Sequence, residues 1–84
     1  MKKINICILG ASGYTGGELL RILAGHPHVD VVMATSREYA GKPVHYVHFN
    51  LRGLYKNLKF SSIDMDKITR SCEAVFLSLP HSVS

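Results

Sequence analysis

Cysteine is scarce in this sequence: Cys7 and Cys72 are the only two in 84 residues. Two thiols do not make the disulfide framework of a small secreted domain. Long apolar runs are missing as well. Nothing approaches the ~20 consecutive apolar residues of a membrane span, and the run after Lys2-Lys3 is cut off by Gly10, too soon for a secretory leader. Reduced thiols without a targeting segment lead us to expect a cytoplasmic protein with no membrane partner. Repeats, heptads and low-complexity tracts are absent too, which excludes solenoids and coiled coils. The Gly-Lys-Ser/Thr close of a P-loop does not occur. Five histidines are present (His26, His28, His45, His48 and His81), but no cysteine pair joins them in the close spacing of a zinc site. No metal is expected, and the helix dipole accounts for His26 beside a helix end.

Acid is missing from one region in particular. Between 37 and 59 the bases Arg37, Lys42, Arg52, Lys56 and Lys59 meet a single acid, Glu38. Elsewhere bases and acids cancel, so this segment holds the whole net charge of +4. An anionic partner is the simple reading; solubility alone is the plain one.

What is present is a run of alternating strand and helix signals. Ile4 to Leu9 is almost continuously apolar, as in a parallel strand covered on both faces. From Thr15 to Ala24 the period becomes helical, with Leu19, Ile22 and Leu23 predicted to form the inward face beside Leu20 and Ala24. Gly25 and Pro27 stop that helix. Val29 to Ala34 reads as a second buried strand. Ser36 to Asn57 shows no sustained period and reads as a long loop excursion, the kind of segment that is usually functional or disordered. Leu58–Phe60 is a candidate third strand. Asp64 to Ser71 reads as a short helix with Met65 and Ile68 inward, and Ala74 to Leu79 as a fourth strand ended by Pro80. The fold class expected is α/β, a Rossmann-type parallel sheet. Eighty-four residues hold little more than half of such a dinucleotide-binding domain, so residues 1–84 are expected to be its N-terminal part within a longer protein.

The junction of the first strand and helix carries the chemistry. Gly10, Gly13 and Gly16 are spaced G-x-x-G-x-x-G, with Ser12, Tyr14 and Thr15 between them. Gly10 ends the strand, Gly13 lets a ligand approach the backbone, and Gly16 lets helix and strand pack closely; Gly17 adds room. Backbone N–H groups of Ser12, Tyr14 and Thr15, with the helix dipole behind them, suit a pyrophosphate. A strand–helix turn with no ligand is the plain alternative. The tip of the second strand, Ser36-Arg37-Glu38, is the next test. An acid there binds the ribose hydroxyls of NAD, whereas a base accepts the 2′-phosphate of NADP. Ser36 offers a hydroxyl and Arg37 a guanidinium fork. Glu38 falls just past the tip, so its backbone rather than its carboxylate is expected near the ligand. These residues favour NADP, with a solvated surface arginine as the alternative. Leu79-Pro80-His81, at the carboxyl edge of the sheet, either touches the cofactor or simply ends a strand. Neither cysteine stands in the electropositive, partly exposed setting of a nucleophile.

With those residues assembled, the chain resembles the N-acetyl-γ-glutamyl-phosphate reductase family of the semialdehyde dehydrogenase superfamily. GASGYTGGELLRIL (10–23), TSREYAGKPV (35–44), FNLRG (49–53) and AVFLSLPHSVS (74–84) carry the resemblance. The SREYAGKPVH (36–45) and NLRG (50–53) runs look most like relatives that act on glutamate or aminoadipate held on a carrier protein, in lysine or arginine biosynthesis. The resemblance implies an acyl-phosphate substrate, a thiolate attack, reduction by NADPH and a semialdehyde product. It implies a homo-oligomer at full length, and cofactor contacts at Ser12, Gly13, Tyr14 and Thr15 for the pyrophosphate and at Ser36, Arg37 and Glu38 for the adenosine phosphate. The catalytic cysteine and histidine of the family match no residue here, so no catalytic residue is assigned. An aspartate-semialdehyde dehydrogenase shares the chemistry, but GYTGGELL argues for the glutamyl-phosphate type. A non-enzymatic cofactor module would require the gene to end near Ser84. A nucleic-acid binder using 37–59 lacks interleaved basic and stacking residues, so no nucleic acid is expected.

Overall fold

The structure is a computed structural model that describes residues 3–78. Four strands form one parallel sheet: β1 (Ile4–Leu9), β2 (Val29–Thr35), β3 (Phe60–Ser61) and β4 (Ala74–Leu77), in the order β3-β2-β1-β4. Helix α1 (Tyr14–Ala24) joins β1 to β2, and α2 (Met65–Ser71) joins β3 to β4. Between β2 and β3 the chain makes two short 3-10 helices, Val44–Tyr46 and Phe49–Leu51. No helix among the described residues is long and apolar enough to cross a membrane.

The strand β1 is covered on both faces. Ile6 and Ile8 point into a cluster with Leu20 of α1, Val44, Leu51 and Phe60; Cys7, between them, points the other way, onto Met33 and Ile68 of α2. That is the period of two along a pleated strand. On β2 the period breaks: Ile6 pairs with Val31, but Cys7 pairs with Met33, so Val32 is an extra residue. An inserted residue flips the parity of everything after it. Val32 and Met33 therefore both pack on the α2 side, and Ala34 returns to the α1 side.

Several expectations need correction. In α1, Ile22 is 57% exposed, and the buried line is Gly16, Gly17 and Leu20. The glycines make room for other groups, Gly16 for the Ala11 backbone and Gly17 for the His48 ring, while Leu20 is buried and Leu19 and Leu23 pack against the core. Met65 is also 57% exposed; it follows the N-cap of α2 directly, leaving Ile68 as the one buried residue of that helix. The third strand starts two residues later than the expected Leu58–Phe60 and ends one later. It is built on Phe60 and Ser61, which pair with Ala34 and Thr35. The second strand runs one residue longer, to Thr35. In β4 the residues Val75, Phe76 and Leu77 are exposed. Leu79, Pro80 and His81, proposed at the edge of the site, lie outside the described residues.

Candidate functional site

The polypeptide leaves β1 through a left-handed glycine. Gly10 has φ +74°, and a Cβ on it would run into the Ser78 carbonyl oxygen. Here glycine is required both for the turn and for the approach of β4. The next residues are tied from behind. Gly10 N donates to Thr35 Oγ1 (3.1 Å) and Ala11 N to the Thr35 carbonyl (2.7 Å). Ala11 is fully buried against Gly16, where a Cβ would lie 2.6–2.7 Å from three Ala11 backbone atoms. Gly16 is thus a packing residue with no open side toward a ligand.

Gly13 differs. It is exposed, it N-caps α1 with φ −79°, and a Cβ there would meet nothing within 4 Å. No side chain caps the helix, and its first turn carries no acid. Tyr14 and Thr15 are exposed beside it. The first N–H groups of a helix have no partner within it, so this end is open to an anion. Glu18, one turn on, is engaged by Arg21 at 2.8 Å, and the hydrogen bond from that guanidinium lowers its carboxyl pKa.

The tip of β2 meets this turn. Tyr39 N donates to Ser36 Oγ (3.0 Å), and Ser36 Oγ donates to Ser12 Oγ (3.0 Å). Ser36 is buried, so its hydroxyl serves Ser12 rather than standing free for a ligand. Ser12 keeps its own O–H to donate, at the end of a chain of bonds that polarise one another. The backbone of Ser36 is held in turn by Ser61, whose carbonyl accepts its N–H at 3.0 Å. Short β3 therefore fixes the tip.

Turn and tip border one open cleft of about 780 Å³. Gly10, Ser12, Ser36, Arg37 and Glu38 line it, with Leu9, Ile63 and Leu77 as its apolar wall. Arg37 and Glu38 are both exposed at its rim. Of the residues singled out in the sequence, Gly13, Tyr14, Thr15 and Gly16 lie outside this lining: three at the helix end, one packed beneath it. Thr35, Ile63 and Ser78 were not anticipated. The available signal for the first was a hydroxyl residue at the end of the second apolar run, directly before Ser36.

The cysteines are inert by position. Burial pushes the Cys7 thiol up to about 11, with Cys72 beside it adding to the shift. Burial also raises Cys72. Among the described residues no group of His, Cys, Asp or Glu is arranged to hold a metal.

A strand, a glycine turn and a second strand tip on one cleft, with an uncapped helix end beside it, make a dinucleotide-binding arrangement. Residues 5–84 match the model of the semialdehyde dehydrogenase NAD-binding domain. The chain belongs to that family. A semialdehyde dehydrogenase NAD-binding domain holds a nicotinamide dinucleotide, and the open backbone at Gly13 beside the cleft fits one. Among its relatives, the Sulfurisphaera tokodaii LysW-L-2-aminoadipate/LysW-L-glutamate phosphate reductase is 59% identical over 81 residues, covering 96% of this chain and 23% of that protein. The Saccharolobus solfataricus protein of the same name is 55% identical over 82 residues, 98% of this chain and 23% of its own. A protein named as a putative member in Aeropyrum pernix is 64% identical over 76 residues, 90% of this chain and 21% of its own. The chain thus spans about a quarter of the length of these relatives.

Proposed function

We propose that residues 1–84 are the NADP(H)-holding part of an acyl-phosphate reductase. Its substrate is an amino-acid acyl phosphate, either N-acetyl-glutamyl phosphate or a glutamyl or aminoadipyl phosphate attached to a carrier protein, and its product is the semialdehyde. The observation that supports this best is the convergence of the glycine turn and the Ser36-Arg37 tip on one cleft. The names of the relatives supply the substrate class and the carrier.

The roles proposed for its residues are those the geometry supports. The N–H groups at the start of α1, beside Gly13, Tyr14 and Thr15, receive the pyrophosphate. Ser12 adds its hydroxyl, oriented by Ser36 and Tyr39. Arg37 reaches from the rim to the 2′-phosphate, where a planar guanidinium makes paired bonds. Glu38 contributes its backbone. Leu9, Ile63 and Leu77 form an apolar wall for the adenine. When bound, the dihydronicotinamide supplies the hydride. Gly10 and Gly16 hold the surface that receives it in shape. Neither Cys7 nor Cys72 serves as the thiolate, since burial keeps both protonated near neutral pH.

The full-length protein tests this reading. Incubated with NADPH and N-acetyl-glutamyl phosphate, or with the carrier-bound acyl phosphates, it should oxidise NADPH and release phosphate one for one. No NADPH oxidation with any of these substrates would contradict it.

A further inference from the structure

His48 lies in the long excursion, between the two 3-10 helices, and is not itself among the residues expected to touch cofactor. Its backbone is fixed on both sides: His48 N donates to the Val44 carbonyl (3.0 Å) and its carbonyl accepts from Leu51 N (2.9 Å). Its Nε2 stands 2.8 Å from the Ala11 carbonyl oxygen. A carbonyl oxygen only accepts, so Nε2 carries the proton and donates. Ala11 is fully buried just past the end of β1, where its carbonyl has left the sheet ladder. A buried carbonyl in that place needs a donor from elsewhere. The ring itself is seated by two further contacts. It packs edge-on to Phe60, 6.3 Å between centroids, and it occupies the space over Gly17, where a Cβ would lie 2.6 Å from its Cε1 and Nδ1. The second glycine of the Gly16-Gly17 pair is therefore room for this imidazole, not for a ligand.

We propose that His48 is a positioning residue for the phosphate cradle: it reaches across from the excursion and fixes the peptide at Ala11 from behind, so that the N–H groups of the helix end stay aimed at the ligand. The inference rests on the cofactor reading above. Among the described residues the turn has four ties, two from Thr35, one from Ser36 and one from His48. Of these four, the His48 tie alone comes from outside the β1–α1–β2 unit and its tip. It lets the part of the excursion around the two 3-10 helices influence cofactor affinity without touching the cofactor.

The experiment uses the full-length protein and NADPH itself as probe. His48→Phe keeps the ring and loses the donor; it should weaken NADPH binding about tenfold, the scale of one lost buried hydrogen bond, with kcat at saturation little changed. His48→Gln, whose amide N–H can reach the same carbonyl, should restore most of the affinity. Gly17→Ala drives the ring away and should weaken NADPH to a similar degree. In a His48→Ala background that second penalty should largely vanish, because the added methyl then enters vacated space; this non-additivity marks a shared site. Amide exchange in the free protein should rise at residues 11–13 in His48→Phe and not across the sheet. Parent-like NADPH affinity in His48→Phe, additive penalties for positions 17 and 48, or a uniform rise in exchange would each overturn the proposal. If the parent binds no NADPH, the cofactor reading fails by itself, and the exchange measurement still decides the role of His48. If His48→Phe does not fold, Gly17→Ala and its cancellation by His48→Ala decide it.

Discussion

The glycine turn at 10–16 and the excursion at 36–59 serve one site by opposite means. The turn is written in local chemistry. Each of its glycines answers to something within the strand–helix unit or directly beside it: a left-handed φ at Gly10, the Ala11 backbone at Gly16, open space at Gly13. The excursion is written in distant partners. His48 answers to Ala11, Tyr55 Oη donates to the Leu20 carbonyl at 2.7 Å, and Phe60 closes the core under both. A segment without period is thus held twice, by short turns within itself and by side chains such as His48 and Tyr55 that bond outside it.

The largest effect expected falls on the core beneath the excursion, at Phe60 of β3. Phe60→Ala removes the largest fully buried side chain among the described residues and should cost about 3–5 kcal/mol, read as a lowered urea midpoint of the full-length protein. It should also loosen His48, which leans on the ring. If Phe60 did not close the core under the excursion, the loss would stay within a few tenths. Within the turn the glycines should separate sharply. Gly16→Ala, facing rigid backbone at 2.6 Å, should cost about 1–3 kcal/mol or more. Gly13→Ala, with nothing near it and an ordinary φ, should cost under about 1 kcal/mol. The same substitution at Gly13 should weaken cofactor, because the methyl stands where the ligand approaches. Equal stability losses at the two positions would remove the distinction between packing glycine and access glycine.

The smallest effect is on pH. Burial pushes Tyr55 up to about 12 and Cys7 up to about 11. A group whose folded pKa is raised binds its proton more tightly when folded, so its contribution is complete below the unfolded value and lost as pH rises to the folded one. The urea midpoint should therefore hold up to about pH 9 and fall between 9 and 12. Tyr55→Phe should remove the upper part of that fall, along with the bond that fastens the excursion to α1.

Much of the fold was legible, for identifiable reasons. β1, α1 and β2 follow from an almost continuous apolar run, a change of period and Gly25-x-Pro27, all local signals. The faces were less legible. The inward line of α1 runs through Gly16 and Gly17, which a count of large apolar residues overlooks, so Ile22 was assigned inward and lies outside. β3 is two residues long, and its place is set by bonds to Ser36, Gly41 and Lys42 that no local pattern announces. In the cleft, the turn residues and the strand tip could be named from spacing alone. That Ser36 would spend its hydroxyl on Ser12 could not, because the bond depends on how closely two loops 24 residues apart come together. His48 left one trace, a second glycine beside a first that already served the packing; the trace says that something needs room without saying what.

The central claim is that turn and tip together hold NADP. Titrating the full-length protein with NADPH and NADH under the same conditions tests it most directly. NADPH should bind at least about tenfold more tightly, the scale of one paired guanidinium–phosphate contact, and Arg37→Asp should abolish the preference. Equal affinity for the two cofactors, or undiminished NADPH binding in Arg37→Asp, would contradict the account.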